Sequence, residues 1–146
     1  EMCIRDSGLG DVYKRQSLNH IIKNSEAIIS IEARGFIFGS AIALQSRKPM
    51  IVARKPGKLL GEIYQENYDL EYGSNSLSIE KEALEKFSSY AIVDDLIATG
   101  GTVDCVARLI NRSGKKISGL LTVVELIELN GRSKFDFPVE SILSIY

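Results

Sequence analysis

The feature that most constrains this chain is a recurring order of short apolar runs and helical patterns. "AIISIE", Ala27 to Glu32, is an apolar strand joined by a Gly-containing turn to the helical pattern Phe36 to Arg47. "MIVAR" (Met50 to Arg54) and "YAIVD" (Tyr90 to Asp94) read as further strands, the latter leading into a helix from about Thr102 to Ser113. "KISGLLTVVEL", Lys116 to Leu126, and "SILSIY", Ser141 to Tyr146, complete the strands, and residues 18–24 read as the end of a helix. Apolar strands alternating with helices are what a parallel sheet wrapped on both faces requires, since both sides of each strand are then buried. The expected fold class is α/β, a mostly parallel sheet flanked by helices. Lys55 to Leu77 is Gly-rich, charged and Tyr-rich, too polar for core; a flexible lid loop or hairpin over a site is expected there.

Composition narrows the function. The 146 residues fit one domain, and a chain of ~150 residues hides roughly 70% of its unfolded surface. With 45% hydrophobic and 25% charged residues and a net charge of -1, neither disorder nor a basic nucleic-acid footprint is supported, and a small polar ligand is expected. No apolar run approaches the ~18 residues of a membrane span, and Cys3 and Cys105 make no disulfide framework, so a cytoplasmic protein is expected. Cys105 reads as a small buried thiol, and His20 has no partner spacing for a metal site. The opening "EMCIRDSGLGDVYKRQ" has neither a helical nor an alternating period and lacks the apolar centre of a signal peptide. It resembles a translated sequencing-adapter peptide, so residues 1–16 are expected to be foreign to the fold and residues 17–146 to form the domain. Its "GLGDVYK" has no strand before it and no third glycine in register for a dinucleotide fingerprint.

In open parallel sheets ligands sit beyond the carboxyl ends of the strands, where both "EARG" and "DDLIATGGT" fall. In the second, Gly100 and Gly101 let consecutive N–H groups turn toward one point at a helix start. Dipole and donors there favour a phosphate, with Thr99 and Thr102 adding hydroxyls. The absence of Gly-Lys-Ser/Thr excludes a nucleotide P-loop. Asp94 and Asp95 would repel a phosphate at contact but suit sugar hydroxyls or a hydrated Mg²⁺, so the string describes a ribose phosphate. In "EARGF" the backbone amides and Arg34 form a fork of donors fit for a pyrophosphate, or simply a surface salt bridge. "RKPGK" places Arg54, Lys55 and Lys58 within five residues; taken alone, the cluster reads equally well as a solvated loop.

"VDDLIATGGT" resembles the signature of the type I phosphoribosyltransferases, and "EARGFIFG", "RKPGKL", "YDLEYG" and "ELIELNGRSK" follow in the order of the branch that uses adenine. The resemblance covers residues 17 to 146. It implies transfer of a phosphoribosyl group from 5-phosphoribosyl-1-pyrophosphate to adenine, giving AMP and pyrophosphate, with Mg²⁺ held through the substrate and Asp94 and Asp95. Ala98, Thr99, Gly100, Gly101 and Thr102 match the 5′-phosphate turn. Ala33 and Arg34 match the pyrophosphate loop, whose peptide before Ala33 is often cis, and Arg54, Lys55 and Lys58 match charges that neutralise the leaving group. Glu71 is implied as the acceptor or relay of the purine proton, Tyr72 as a residue shaping the lid, and Leu126 as packing on the purine. Leu60 stands where the family usually has proline. A homodimer is also implied. Family members carry a segment before the point matching Ser17 that hoods the adenine, so weak or absent turnover is expected of this chain. Two other classes fit less well: a regulator on the same fold wants an added DNA-binding unit or basic face, and a phospho-receiver needs its acid pair in the first strand. A xanthine-specific transferase is the nearest rival enzyme.

Overall fold

The structure is a computed structural model that describes residue 16, residues 18–70 and residues 73–146. Its centre is a five-stranded sheet formed by β1 (Ala27–Ile31), β2 (Met50–Ala53), β5 (Ser89–Ile97), β6 (Lys116–Leu126) and β7 (Val139–Ile145), in the order β2-β1-β5-β6-β7. All four pairings are parallel. The first three strands carry isoleucine, valine and alanine on both sides because both sides are covered. Ala27, Ile29, Ile31, Tyr90 and Ile92 belong to one buried cluster, Ile28, Ala91 and Val93 to the other.

Two helices dominate the layers. α1 (Gly35–Ser46) packs Phe38, Ile42 and Ala43 against the second cluster, alongside helical residues 18–23 with Ile21 fully buried. Gly39 permits that approach, since a Cβ there would sit 2.3 Å from Ser30 Oγ. α1 stops at Arg47, whose left-handed backbone (φ 56°) returns its N–H to the carbonyls of Ala43 and Leu44; Pro49 follows, which cannot continue a helix. α3 (Gly101–Arg112) lies in the first cluster, burying Val103, Cys105, Val106, Leu109 and Ile110 at helical spacing. Full burial of one Leu or Ile contributes about 1.5–3 kcal/mol, so this stripe anchors the helix firmly.

The segment between β2 and β5 contains the expected hairpin but is not too polar for core throughout. Residues Ile63–Leu70 (β3) and Gly73–Glu80 (β4) form an antiparallel hairpin, followed by the short helix α2 (Lys81–Glu85). Only its first part is too polar for core: Leu77, Ser78 and Ile79 are buried, and Ser78 bridges to Arg54 at the end of β2. β5 is also longer than Tyr90 to Asp94. The eleven-residue β6 offers partners beyond the acids (Leu96↔Val124, Ile97↔Glu125), so the ladder continues three residues past Asp94. β7 likewise starts at Val139, which pairs with Leu120.

Candidate active site

The strand order reverses at β1 and β5. The chain leaves β1 toward β2 on one side, and leaves β5 toward β6 and β7 on the other. The loops after these two strands therefore diverge and leave a crevice between them, the usual ligand position in an open parallel sheet. A cavity of about 370 Å³ lies there, lined by Glu32, Ala33 and Arg34 from the β1 side and by residues 94–103 from the β5 side, with Tyr68 reaching in from the hairpin.

Both helices that open onto the cavity begin without a side-chain cap: Arg34 precedes α1 and Gly100 precedes α3. A helix start carries N–H groups with no intrahelical acceptor, so two sets of donors are left toward the crevice. Gly100 has φ +81°, and a Cβ on it would meet the carbonyl of Gly131 at 2.9 Å. Gly131 in turn sits so tightly on the turn that a Cβ would lie 2.3 Å from the carbonyl of Ala98. The "NGR" segment thus braces the turn at residues 98–102 from behind. It is fixed by a bidentate pair in which Arg132 Nε and Nη2 donate to Glu125 at 2.6 and 2.5 Å, with Ser141 Oγ donating at 3.0 Å. Arg132's bonds, outweighing burial, hold the Glu125 carboxyl below the ordinary range.

The two acids differ. Asp94 is buried, and burial pushes its carboxyl up to about 7, against a counteracting N–H donated by Asp95 to its Oδ1 at 2.9 Å. A Cβ on Gly35 would press on Asp94 Oδ1 at 3.0 Å, so glycine eases the close approach of α1 to the acid. Asp95 is more open and accepts from Arg34 Nε at 2.5 Å. Across the crevice, Glu32 accepts from Lys58 Nζ at 2.8 Å and from the backbone N–H of Lys55, with Arg54 Nε 3.7 Å away. Burial alone would raise Glu32, but the bonds from Lys58 and Lys55 and the nearby charges bring it below the ordinary range. Arg54 Nε has no hydrogen-bond partner among the described residues, and its guanidinium lies 6.0 Å from the Phe36 ring centre.

The structure therefore brings together Ala33, Arg34, Asp94, Asp95, Ala98, Thr99, Gly100, Gly101 and Thr102. It does not bring Arg54, Lys55 or Lys58 into the cavity lining; they meet it through Glu32. Leu126 is half-buried at the end of β6, opposite Ile145, and outside the lining. Glu71 and Tyr72 lie outside the described residues. The Glu32–Ala33 peptide is cis. Cys105 is buried, its thiol pushed up to about 11 by burial, as suits a packing residue. Besides the apolar Leu96, Ile97 and Val103, Tyr68 and Glu32 are the cavity residues that sequence reasoning missed. Tyr68 had a weak signal, since it shares a two-residue period with Tyr64 and Glu66; Glu32 had none beyond its place at a strand end.

A reversing parallel sheet with an acid pair and an uncapped glycine turn across the crevice from a second uncapped helix defines a sugar-phosphate transferase of one class. The family model for the phosphoribosyl transferase domain matches residues 13–141. The chain belongs to that family, in the branch of the adenine phosphoribosyltransferases. Among its relatives, the adenine phosphoribosyltransferase of Prochlorococcus marinus subsp. pastoris is 66% identical, over 88% of this chain and 75% of that one. The enzyme of the same name from Clostridium botulinum is 50% identical, over 82% and 70%. The crystal structure of adenine phosphoribosyltransferase from Thermoanaerobacter pseudethanolicus superposes with a TM-score of 0.80 at 36% identity, covering 95% of this chain and 83% of that one. The yeast enzyme, complexed with an imino-altritol bisphosphate and adenine, gives 0.78 at 32% identity, covering 95% and 82%.

Proposed function

We propose that this chain is an adenine phosphoribosyltransferase of purine salvage, converting adenine and 5-phosphoribosyl-1-pyrophosphate into AMP and pyrophosphate. The observation that carries the reading is the cavity at the β1/β5 reversal, where an uncapped glycine turn and an acid pair face Arg34 across one crevice. In the reaction the bond from C1′ to the pyrophosphate oxygen breaks, a bond from purine N9 to C1′ forms, and the purine loses its N–H proton. Residues 98–102 hold the 5′-phosphate through backbone N–H groups and the hydroxyls of Thr99 and Thr102. Asp94 and Asp95 accept hydrogen bonds from the ribose hydroxyls. Arg34 and the amides around Ala33 grip the pyrophosphate, with Arg54, Lys55 and Lys58 joining as it departs and negative charge develops on it. In the bound state Arg34 exchanges Asp95 for pyrophosphate, and the same act frees Asp95 for the sugar. Glu71 accepts or relays the purine proton, Tyr72 shapes the lid and Leu126 packs on the base.

Among the described residues, no three His, Cys, Asp or Glu side chains cluster as a metal cage. Two neighbouring carboxylates fit Mg²⁺ in the manner this ion prefers, keeping waters and binding mainly to substrate oxygens. When bound, Mg²⁺ supplies neutralising charge to the pyrophosphate. A homodimer is supported by Ile37 and Leu44, two large apolar side chains left largely exposed on α1. Among the described residues no helix is long and apolar enough to cross a membrane, consistent with a cytoplasmic enzyme. The segment 1–16 is assigned as foreign to the domain.

The test is AMP formation from adenine against hypoxanthine, xanthine and guanine, measured on this chain and on one in which the corresponding segment of a relative replaces residues 1–16. Nucleotide from adenine alone is expected. Nucleotide from another purine, or none from adenine, contradicts the reading.

A further inference from the structure

The hairpin carries one residue into the phosphate cavity that the roles above leave unused. Along β3 the side chains alternate: Tyr64, Glu66 and Tyr68 are half-buried, whereas Gln65, Asn67 and Asp69 are exposed. The inward row packs on α3, the helix that starts at the phosphate turn. Arg108 joins the two elements as a fork, with Nη1 donating to Glu66 Oε1 at 2.9 Å, Nη2 to the Asn67 carbonyl at 2.8 Å and Nε to Asp104 Oδ2 at 3.1 Å. Arg112 Nη1 donates to the other oxygen of Glu66, and Cys105 Sγ lies 3.3 Å from the Glu66 carbonyl. Two guanidinium groups face two carboxylates, so the cluster has no net charge with which to attract an anion. Its effect is geometric, holding β3 in register on α3.

The result of that register is the place of Tyr68, two residues beyond Glu66. Its side chain lines the cavity beside Thr102. The Asp69 carbonyl passes over the helix start, 3.9 Å from where a Cβ on Gly101 would be. Burial raises the Tyr68 hydroxyl above its ordinary value, with Asp94 and Glu32 acting in the same sense and Thr102 against it. The phenol therefore keeps its proton at neutral pH and can donate it to an anion.

Building on the sugar-phosphate reading of the turn, we propose that Tyr68 is a further ligand of the 5′-phosphate, its phenol donating a hydrogen bond to a phosphate oxygen held by residues 98–102. Glu66 and Arg108 are its positioning residues. The hairpin base is then a fixed wall of the phosphate site.

The experiment is calorimetric titration of the full chain with ribose 5-phosphate and, separately, with inorganic pyrophosphate. Tyr68→Phe keeps the packed ring and removes only the donor. It weakens ribose 5-phosphate binding by about tenfold, the scale of one hydrogen bond to a charged group, and leaves pyrophosphate binding unchanged. Glu66→Gln weakens ribose 5-phosphate binding by a smaller factor, roughly threefold, through misplacement of the phenol. Equal ribose 5-phosphate affinity in wild type and Tyr68→Phe overturns the ligand role, as does an equal loss for both ligands. An unchanged Glu66→Gln overturns the positioning role. Wild type that binds pyrophosphate but not ribose 5-phosphate sinks the sugar-phosphate reading itself, and the Tyr68 role with it.

Discussion

The two ends of the crevice are built on opposite plans. At the β5 end, the turn at 98–102 presents backbone donors, and its shape is imposed from behind by Gly131 and the pair of exposed Arg132 with buried Glu125. At the β1 end, the backbone donors of a helix start are joined by charged side chains, two of which already have partners: Arg34 on Asp95 and Lys58 on Glu32. Backbone groups held by packing cost little to reorganise when a ligand arrives, whereas paired side chains must exchange one partner for another. The first end is suited to anchoring a group that stays throughout the reaction. The second is suited to one that arrives, bears developing charge and leaves. Each partner exchange is inexpensive, because a partly exposed ion pair is worth only about 0.2–1 kcal/mol.

The comparison breaks most visibly at Gly131. Gly131→Ala drives a methyl group into the Ala98 carbonyl, and no flexible side chain is there to give way. Displacement of the turn by even about 1 Å reduces ribose 5-phosphate binding on the order of a hundredfold, while pyrophosphate binding in the same calorimetric experiment changes little. Equal losses for both ligands would show that the two ends are not independent.

A smaller effect concerns Asp94 and pH. Its folded-state pKa of about 7 stands above the unfolded value of 3.8. Asp94 therefore adds stability in full only below the ordinary carboxylate range, and that contribution is lost as pH rises through about 7. Asp94→Asn should raise the stability of the ligand-free protein at pH 8 by on the order of 1–3 kcal/mol and flatten its dependence between pH 5 and 8. Urea denaturation at several pH values checks this; a variant less stable than wild type at pH 8 contradicts the burial argument.

At the β1 end, Glu32→Gln weakens the internal hold on Lys58 and Arg54. Pyrophosphate binding should tighten by roughly two- to fivefold, the size of an exposed pair. Looser binding would mean that Glu32 orients the loop for the ligand instead of competing with it. The least effect is expected outside both ends, where removal of residues 1–16 shifts the thermal midpoint by no more than about 2 °C. A larger drop would show that the segment belongs to the fold.

How much of this was legible in the sequence follows from what each element depends on. β6 matches the reading at both ends, Lys116 to Leu126, because a stretch rich in Ile, Leu and Val, bounded by Gly-Lys and a turn, leaves few alternatives. α1 and α3 each begin one residue before the expected position, within the ordinary blur of helix ends. β4 was illegible because "GSNSLSIE" buries only its last residues, and their environment comes from β2 and α3, distant in sequence. α2, five residues long, is too short to show a period. The turn at 98–102 was readable because its backbone, with Gly100 at φ +81°, demands glycine at a fixed position. The partners of Arg34 and Glu32 were not, since those contacts span 61 and 23–26 residues and any acid or base would satisfy them.

The most direct test of the central claim, that the acids of β5 hold the sugar while the turn beyond them holds its phosphate, is calorimetric binding of 5-phosphoribosyl-1-pyrophosphate with Mg²⁺. Wild type should be compared with the variant combining Asp94→Asn and Asp95→Asn, both shown folded by their melting transitions. Loss of charge-assisted hydrogen bonds to the ribose hydroxyls predicts a drop in affinity of roughly a hundredfold. Unchanged affinity in the folded variant contradicts the account.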